Sequence, residues 1–144
     1  MGSLILTAAL LLAAGPKPEK KDVPYLVHAN NLVQTEVVKA SAEGGSYIIP
    51  GETSLARTPL ALPIFMMDSS AIRPDQLRMV RLTVKGGHRE AASGKTTPDD
   101  QAPILLTVTN LGGGIYKFEV VNEVENGEYA LTAGPGQFFC FTVF

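Results

Sequence analysis

Residues 104–121 read ILLTVTNLGGGIYKFEVV, and this stretch decides the fold. In its second half Tyr116, Phe118 and Val120 alternate with Lys117 and Glu119. A period of two puts the three apolar side chains on one face of a strand and the charged pair on the other. Ile104–Thr109 supplies the strand before it, and Gly112, Gly113 and Gly114 between the two runs offer the positive φ angles of a tight hairpin. A phosphate-binding loop would need a helix after the glycines. Strand-forming Ile115–Val121 follows instead, so the glycines read as turn chemistry.

The same grammar extends outward. Val80, Leu82 and Val84 alternate with Arg81, Thr83 and Lys85 before Gly86 and Gly87, and His88–Ala92 returns as the second strand of that hairpin. Leu32–Ala40 and Ser46–Ile49 are expected strands around Glu43, Gly44 and Gly45. Leu60–Met67 is another, placed at a sheet edge by Pro59 and Pro63. Polar Ser93–Pro103 reads as an exposed loop, and Gly134-Pro135-Gly136 joins Glu125–Thr132 to Phe138–Phe144. Short apolar alternations separated by turn residues, with no helix of normal length, predict an all-β, antiparallel β-sandwich of immunoglobulin-like type with two facing sheets.

Composition agrees with one domain. The 144 residues are 45% hydrophobic and 18% charged, enough apolar material for a core without disulfides or metal. Twelve Lys plus Arg against 14 Asp plus Glu leave a net charge of -2, which excludes broad electrostatic capture of nucleic acid or anionic lipid. The basic cluster Lys17, Lys20 and Lys21 lies beside Pro16 and Pro18 and reads as a solvated tether. Cys140 is the single cysteine, so an internal disulfide and a cysteine zinc site are excluded. Its neighbours Phe138, Phe139 and Phe141 predict a buried, inert thiol.

Leu4–Ala14 reads LILTAALLLAA, an apolar run that is too short to span a bilayer and ends in small residues before Gly15 and Pro16. It has the length of a signal-peptide core, although Met1–Ser3 lack the usual basic residue. A buried or amphipathic helix is the competing reading, against which the run shows no one-sided stripe. The expected organisation is a signal peptide over 1–15, a linker over 16–22 and the sandwich over 23–144. The product is expected to be exported (periplasmic, cell-surface or extracellular), with no transmembrane segment in the mature chain.

Near the carboxyl end, Gly127 stands just before Tyr129 at the opening of a late strand. This is the setting of a tyrosine corner, in which the phenol bonds back to nearby backbone. Pro24–Glu36 (PYLVHANNLVQTE), Pro59–Phe65 (PLALPIF), Asp75–Glu90 (DQLRMVRLTVKGGHRE), Gly114–Lys117 (GIYK) and the stretch from Asn126 to Phe141 together resemble a group of uncharacterised exported β-sandwich proteins of environmental bacteria, notably the acidobacterial kind. The resemblance implies sandwich architecture and brings no catalytic residues with it. The chain departs from true immunoglobulin domains in having no Trp and in carrying Leu131 where the paired Cys would stand.

No residue cluster specifies a chemistry. His28 and His88 each lack neighbours at ligand spacing; His88, flanked by Arg89 and Glu90, reads as an exposed turn residue, and His28 as packing or capping. Asp68, Ser69 and Ser70 have the wrong spacing for an adhesion-type metal site, and the pairs Asp99/Asp100 and Glu123/Glu125 lack the alternation of a calcium loop. Nothing resembles a nucleophile elbow. Catalytic, cofactor and metal residues are therefore expected to be none, and the residues singled out, Tyr129, Gly127 and Cys140, are structural. The expected function is a non-catalytic exported protein acting by protein contact, including self-association through sheet edges, with Lys17–Pro24 as an arm able to add a strand to a neighbour. The alternative is a small-ligand or glycan-binding module using the end loops.

Overall fold

A computed structural model describes residues 15–93 and 103–144, so the expected export signal and most of the Ser93–Pro103 loop lie outside the described residues. The first third of the chain forms β1 (Tyr25–His28), β2 (Asn31–Gln34), β3 (Glu36–Lys39), β4 (Ala42–Glu43) and β5 (Ser46–Pro50). The middle adds β6 (Arg57–Thr58), β7 (Ile64–Asp68), a 3₁₀ turn at Pro74–Gln76, β8 (Arg78–Arg81), β9 (Thr83–Lys85) and β10 (His88–Ala92). The last third forms β11 (Leu106–Gly112), β12 (Ile115–Val120), β13 (Gly127–Gly134) and β14 (Gln137–Val143). Glycine pairs turn the hairpins where their sequence places them: Gly113 and Gly114 between β11 and β12 have φ of 63° and 87°, the doubly positive geometry that matches strand twist.

The strands make an antiparallel β-sandwich in three sheets, ordered β11-β12-β7-β1-β2, β3-β14-β13-β8 and β4-β5-β10-β9, with β6 pairing parallel to the end of β14. The sheet containing β14 lies in the middle. Alternation along β13 and β14 sends Tyr129, Leu131, Phe139, Phe141 and Val143 to one face, where they pack with Leu26, Phe65, Met67 and Phe118 of the first sheet. Ala130, Phe138 and Cys140 point to the other face, against Ile49 and Ala91 of the third sheet. Two facing sheets were expected and three are found. The reason is in β14 itself: FFCFTV is apolar on both faces but for Thr142, the pattern of a strand covered on both sides.

The chain changes layers at two buried corners. Thr35 links β2 to β3, and both its N–H and its hydroxyl donate to Pro24 O, at 3.2 and 2.7 Å. Leu82 links β8 to β9, its N–H donating to Glu128 O at 2.8 Å and its side chain buried in the second core.

Three local expectations change. The strand at Leu60–Met67 begins only at Ile64, and β7 is interior, between β1 and β12; Pro59 and Pro63 precede it, and Pro63, which has no N–H to give, only accepts, its O taking the Val120 N–H at 3.2 Å. Leu32–Ala40 is broken at Thr35 into β2 and β3. The tether is docked: Pro18 and Pro24 are buried, the backbone of Lys21 forms a parallel β-bridge with that of Asp68, and Asp22 N–H donates to Asp68 O at 2.8 Å.

Candidate functional site

The residues singled out in the sequence lie in the packed middle of the fold. Tyr129 donates its phenol hydrogen to Glu125 O at 2.7 Å and stacks on Phe141 with centroids 5.9 Å apart. Arg81 clasps the same corner, bonding Glu125 Oε2 at 3.2 Å and Asn126 O at 3.4 Å with its guanidinium 5.8 Å from the Tyr129 ring centroid. Gly127 makes room for that arginine, since a Cβ there would stand 3.2 Å from Arg81 Nη2. Cys140 is fully buried, and its burial pushes the thiol up to about 12, so the nucleophilic thiolate is absent at neutral pH.

A buried polar cluster was not foreseen. Arg89, expected beside an exposed turn, is inaccessible to solvent. Its Nη1 donates to Glu36 Oε1 at 2.9 Å, its Nε to Gly51 O at 2.8 Å and its Nη2 to Pro50 O at 2.6 Å. Glu128 Oε1 accepts from Thr142 Oγ1 at 2.8 Å and from Ser54 N at 3.2 Å. Burial raises the Glu128 carboxyl above its ordinary value, against the opposing pull of those hydrogen bonds and of the Arg89 charge. The signal for Arg89 was the period: it shares a face of β10 with buried Ala91. With a carboxylate and two backbone carbonyls on its guanidinium, the cluster ties β10 to β3 and to the Pro50–Gly51 turn, and it is structural.

The remaining titratable candidates stay apart. His28 is exposed at the end of β1. His88 is half-buried on β10 with Nε2 3.5 Å from Glu90 Oε1. The Asp68-Ser69-Ser70 segment is held by Asp22, whose carboxylate accepts from Ser70, Ala71 and Ile72 N–H groups at 2.8, 3.0 and 2.9 Å. No group of three or more His, Cys, Asp or Glu among the described residues could hold a metal ion. Glu123 and Glu125 contribute no such group, and Asp99 and Asp100 lie outside the described residues.

Two surface features remain. One is a cleft of about 550 Å³ between the middle and third sheets, with Tyr47, Phe138, Val80 and Ala91 among its walls and Arg78 and Asp75 among its polar lining. Tyr47 and Phe138 meet edge to face there, centroids 5.3 Å apart.

The other is the outer edge of β11. Leu105 O accepts from Val121 N at 3.1 Å. Antiparallel pairing alternates, so the N–H and C=O groups of Leu106, Val108 and Asn110 face away from β12. No strand among the described residues pairs with them. Leu105, Val108 and Leu111 along this edge are 67%, 43% and 48% exposed.

The other sheet edges are short, charged or covered, the usual protections against unwanted pairing. β2 has four residues, β4 two, and β9 three including Lys85. β3 carries Glu36 and Lys39, and β8 carries Arg78 and Arg81 while its Met79 O already accepts from Ile104 N. β11 is seven residues long and has no charge from Pro103 to Tyr116. No helix among the described residues is long and apolar enough to cross a membrane. No family model, curated protein or solved structure matches the chain.

Proposed function

We propose that this chain is an exported, non-catalytic β-sandwich protein of immunoglobulin-like kind that acts by protein contact, receiving a strand along β11. The observation that carries this reading is the unprotected edge: seven uncharged residues, with the amides of Leu106, Val108 and Asn110 turned outward and Leu105, Val108 and Leu111 exposed, the features by which extended segments are captured. The Tyr129–Glu125 hydrogen bond supports the immunoglobulin-like part. The apolar run at Leu4–Ala14 and the likeness to exported sandwich proteins of environmental bacteria support the compartment. The contact element differs from the one first expected, because the Lys17–Pro24 arm is engaged with its own domain from Pro18 onward.

Photo-cross-linking in cells making the full chain tests this. A photoreactive residue replacing Thr107, on the exposed side of β11, is expected to give discrete protein adducts, and the same residue replacing Glu43 on β4 is expected to give none. If Thr107 yields no adduct, contact through β11 is disproved.

The cleft beside Tyr47 and Phe138 favours a second reading, a small-ligand or glycan-binding module. Its volume falls within the roughly 300–1,000 Å³ of ordinary ligand sites. Under this reading a glycan or divalent ion in a thermal-shift screen raises the melting temperature of the wild type, and Tyr47→Ala removes the shift. A flat response across the screen would leave the cleft without a ligand role.

A further inference from the structure

We infer that the strand received by β11 is β11 of a second copy of this chain, the two running antiparallel about a two-fold axis at Val108. This rests on the contact reading above and names its partner. A two-fold axis sets each residue opposite a residue of the same strand, so a charged edge would meet its own charge. From Pro103 to Tyr116 there is no charge to repel, and self-pairing meets no electrostatic opposition.

The backbone geometry selects the centre. In a hydrogen-bonded antiparallel pair both residues direct N–H and C=O at each other, and on the free edge the residues that do so are Leu106, Val108 and Asn110. Centring the axis on Val108 uses all three, with Val108 facing Val108 of the other copy and Leu106 facing Asn110. The exposed Leu105 and Leu111 flank this register at its two ends, Leu111 at the bulge between Asn110 and Gly112.

The size of the contact sets its strength. Seven residues span about 24 Å of edge, a strip well below the roughly 1,200–2,000 Å² of a standard stable interface. The pair is therefore concentration-dependent, and the two first sheets join into one continuous sheet of ten strands, near the upper end for an open twisted sheet.

Light scattering on the purified full chain over about 5–500 µM provides the test. The wild-type mass is expected to climb from 15.3 kDa towards twice that value; a mass that stays at one chain throughout overturns the inference. Val108→Lys and Val108→Glu, each setting like charges face to face, are each expected to weaken association about tenfold or more, and an equimolar mixture of the two is expected to restore it. If either variant still dimerises as the wild type does, or the mixture does not, the register is wrong and the inference falls. Thr107→Lys guards against misfolding at Val108. It faces Glu119 across β12 in a favourable pair, so it should keep the urea midpoint while the edge lysine weakens association; unchanged association again counts against the inference. The Thr107 cross-link separates the two readings. Adducts of a mass other than two chains, with a monomeric pure protein, overturn the second copy and leave strand addition standing, whereas absence of any adduct removes both.

Discussion

Arg89 shows how much a single residue can organise in a small β protein. An arginine wholly removed from water survives because its fork is matched by one carboxylate and two backbone carbonyls. Truncation leaves Pro50 O and Gly51 O without that donor and removes packing as well as charge. Arg89→Ala is expected to lower stability by about 3–5 kcal/mol, read from urea midpoints, and a loss under about 1 kcal/mol would show that the cluster is incidental. Glu128 makes a pH-dependent contribution of definite sign. Its folded carboxyl titrates above its unfolded value near 4.5, so the native state holds a proton that the unfolded chain releases. The associated stability is complete below about 4.5 and is lost as pH rises through the folded value. Relative to Glu128→Gln, the wild type should therefore lose ground between pH 4 and pH 7; a constant gap between the two midpoints would contradict this. Asp22 has the opposite sign. Burial alone would raise its carboxyl, but the N–H groups of Ala71, Ile72 and Ser70 and the charge of Lys21 together hold it below its ordinary value. Its contribution is present at neutral pH and is lost in acid as the folded value is passed.

At the scale of elements, turn chemistry is the most legible feature of the chain and the two glycine-rich hairpins can be told apart by what surrounds them. A Cβ on Gly113 meets nothing within 4 Å, whereas one on Gly136, at φ 77°, would stand 2.5 Å from Ala40 O. Gly113→Ala should therefore cost only the left-handed backbone penalty, about 1 kcal/mol. Gly136→Ala should cost clearly more, about 2 kcal/mol or beyond, because it also disturbs the Ala40 N–H to Gly136 O bond; equal midpoints for the two variants would refute the comparison. The hairpins around Gly44, Gly86, Gly113 and Gly136 could be read from sequence because two-residue loops between strands demand particular φ angles, and few residue types meet them. The interior place of β7 could not, since the prolines that seemed to mark an edge fall before the strand. Arg89 was legible only in its period with Ala91: a charged residue after a Gly-Gly turn reads as solvated, and only the positions of Glu36 and Pro50, 53 and 39 residues away, reveal its partners. The free edge of β11 was equally hidden, because edge position is a property of sheet order, which local periodicity does not encode.

On the scale of the whole molecule, the middle sheet couples the two cores. Phe139 serves the first core and Phe138 the second, from adjacent positions on β14. Each Phe→Ala change is expected to cost about 3–5 kcal/mol. Both should shift one and the same cooperative unfolding transition, seen alike by far- and near-ultraviolet spectra. A variant that melted one core while leaving the other folded would divide the molecule into independent halves.

The placement of β14 also governs how the chain comes into being. It leaves the ribosome after every strand it joins, so a nascent polypeptide that already carries β1 to β13 still lacks the strand that feeds both cores. Until β14 emerges, Phe139, Phe141 and Val143 are missing from the first core and Phe138 and Cys140 from the second, so neither layer can close in its native form.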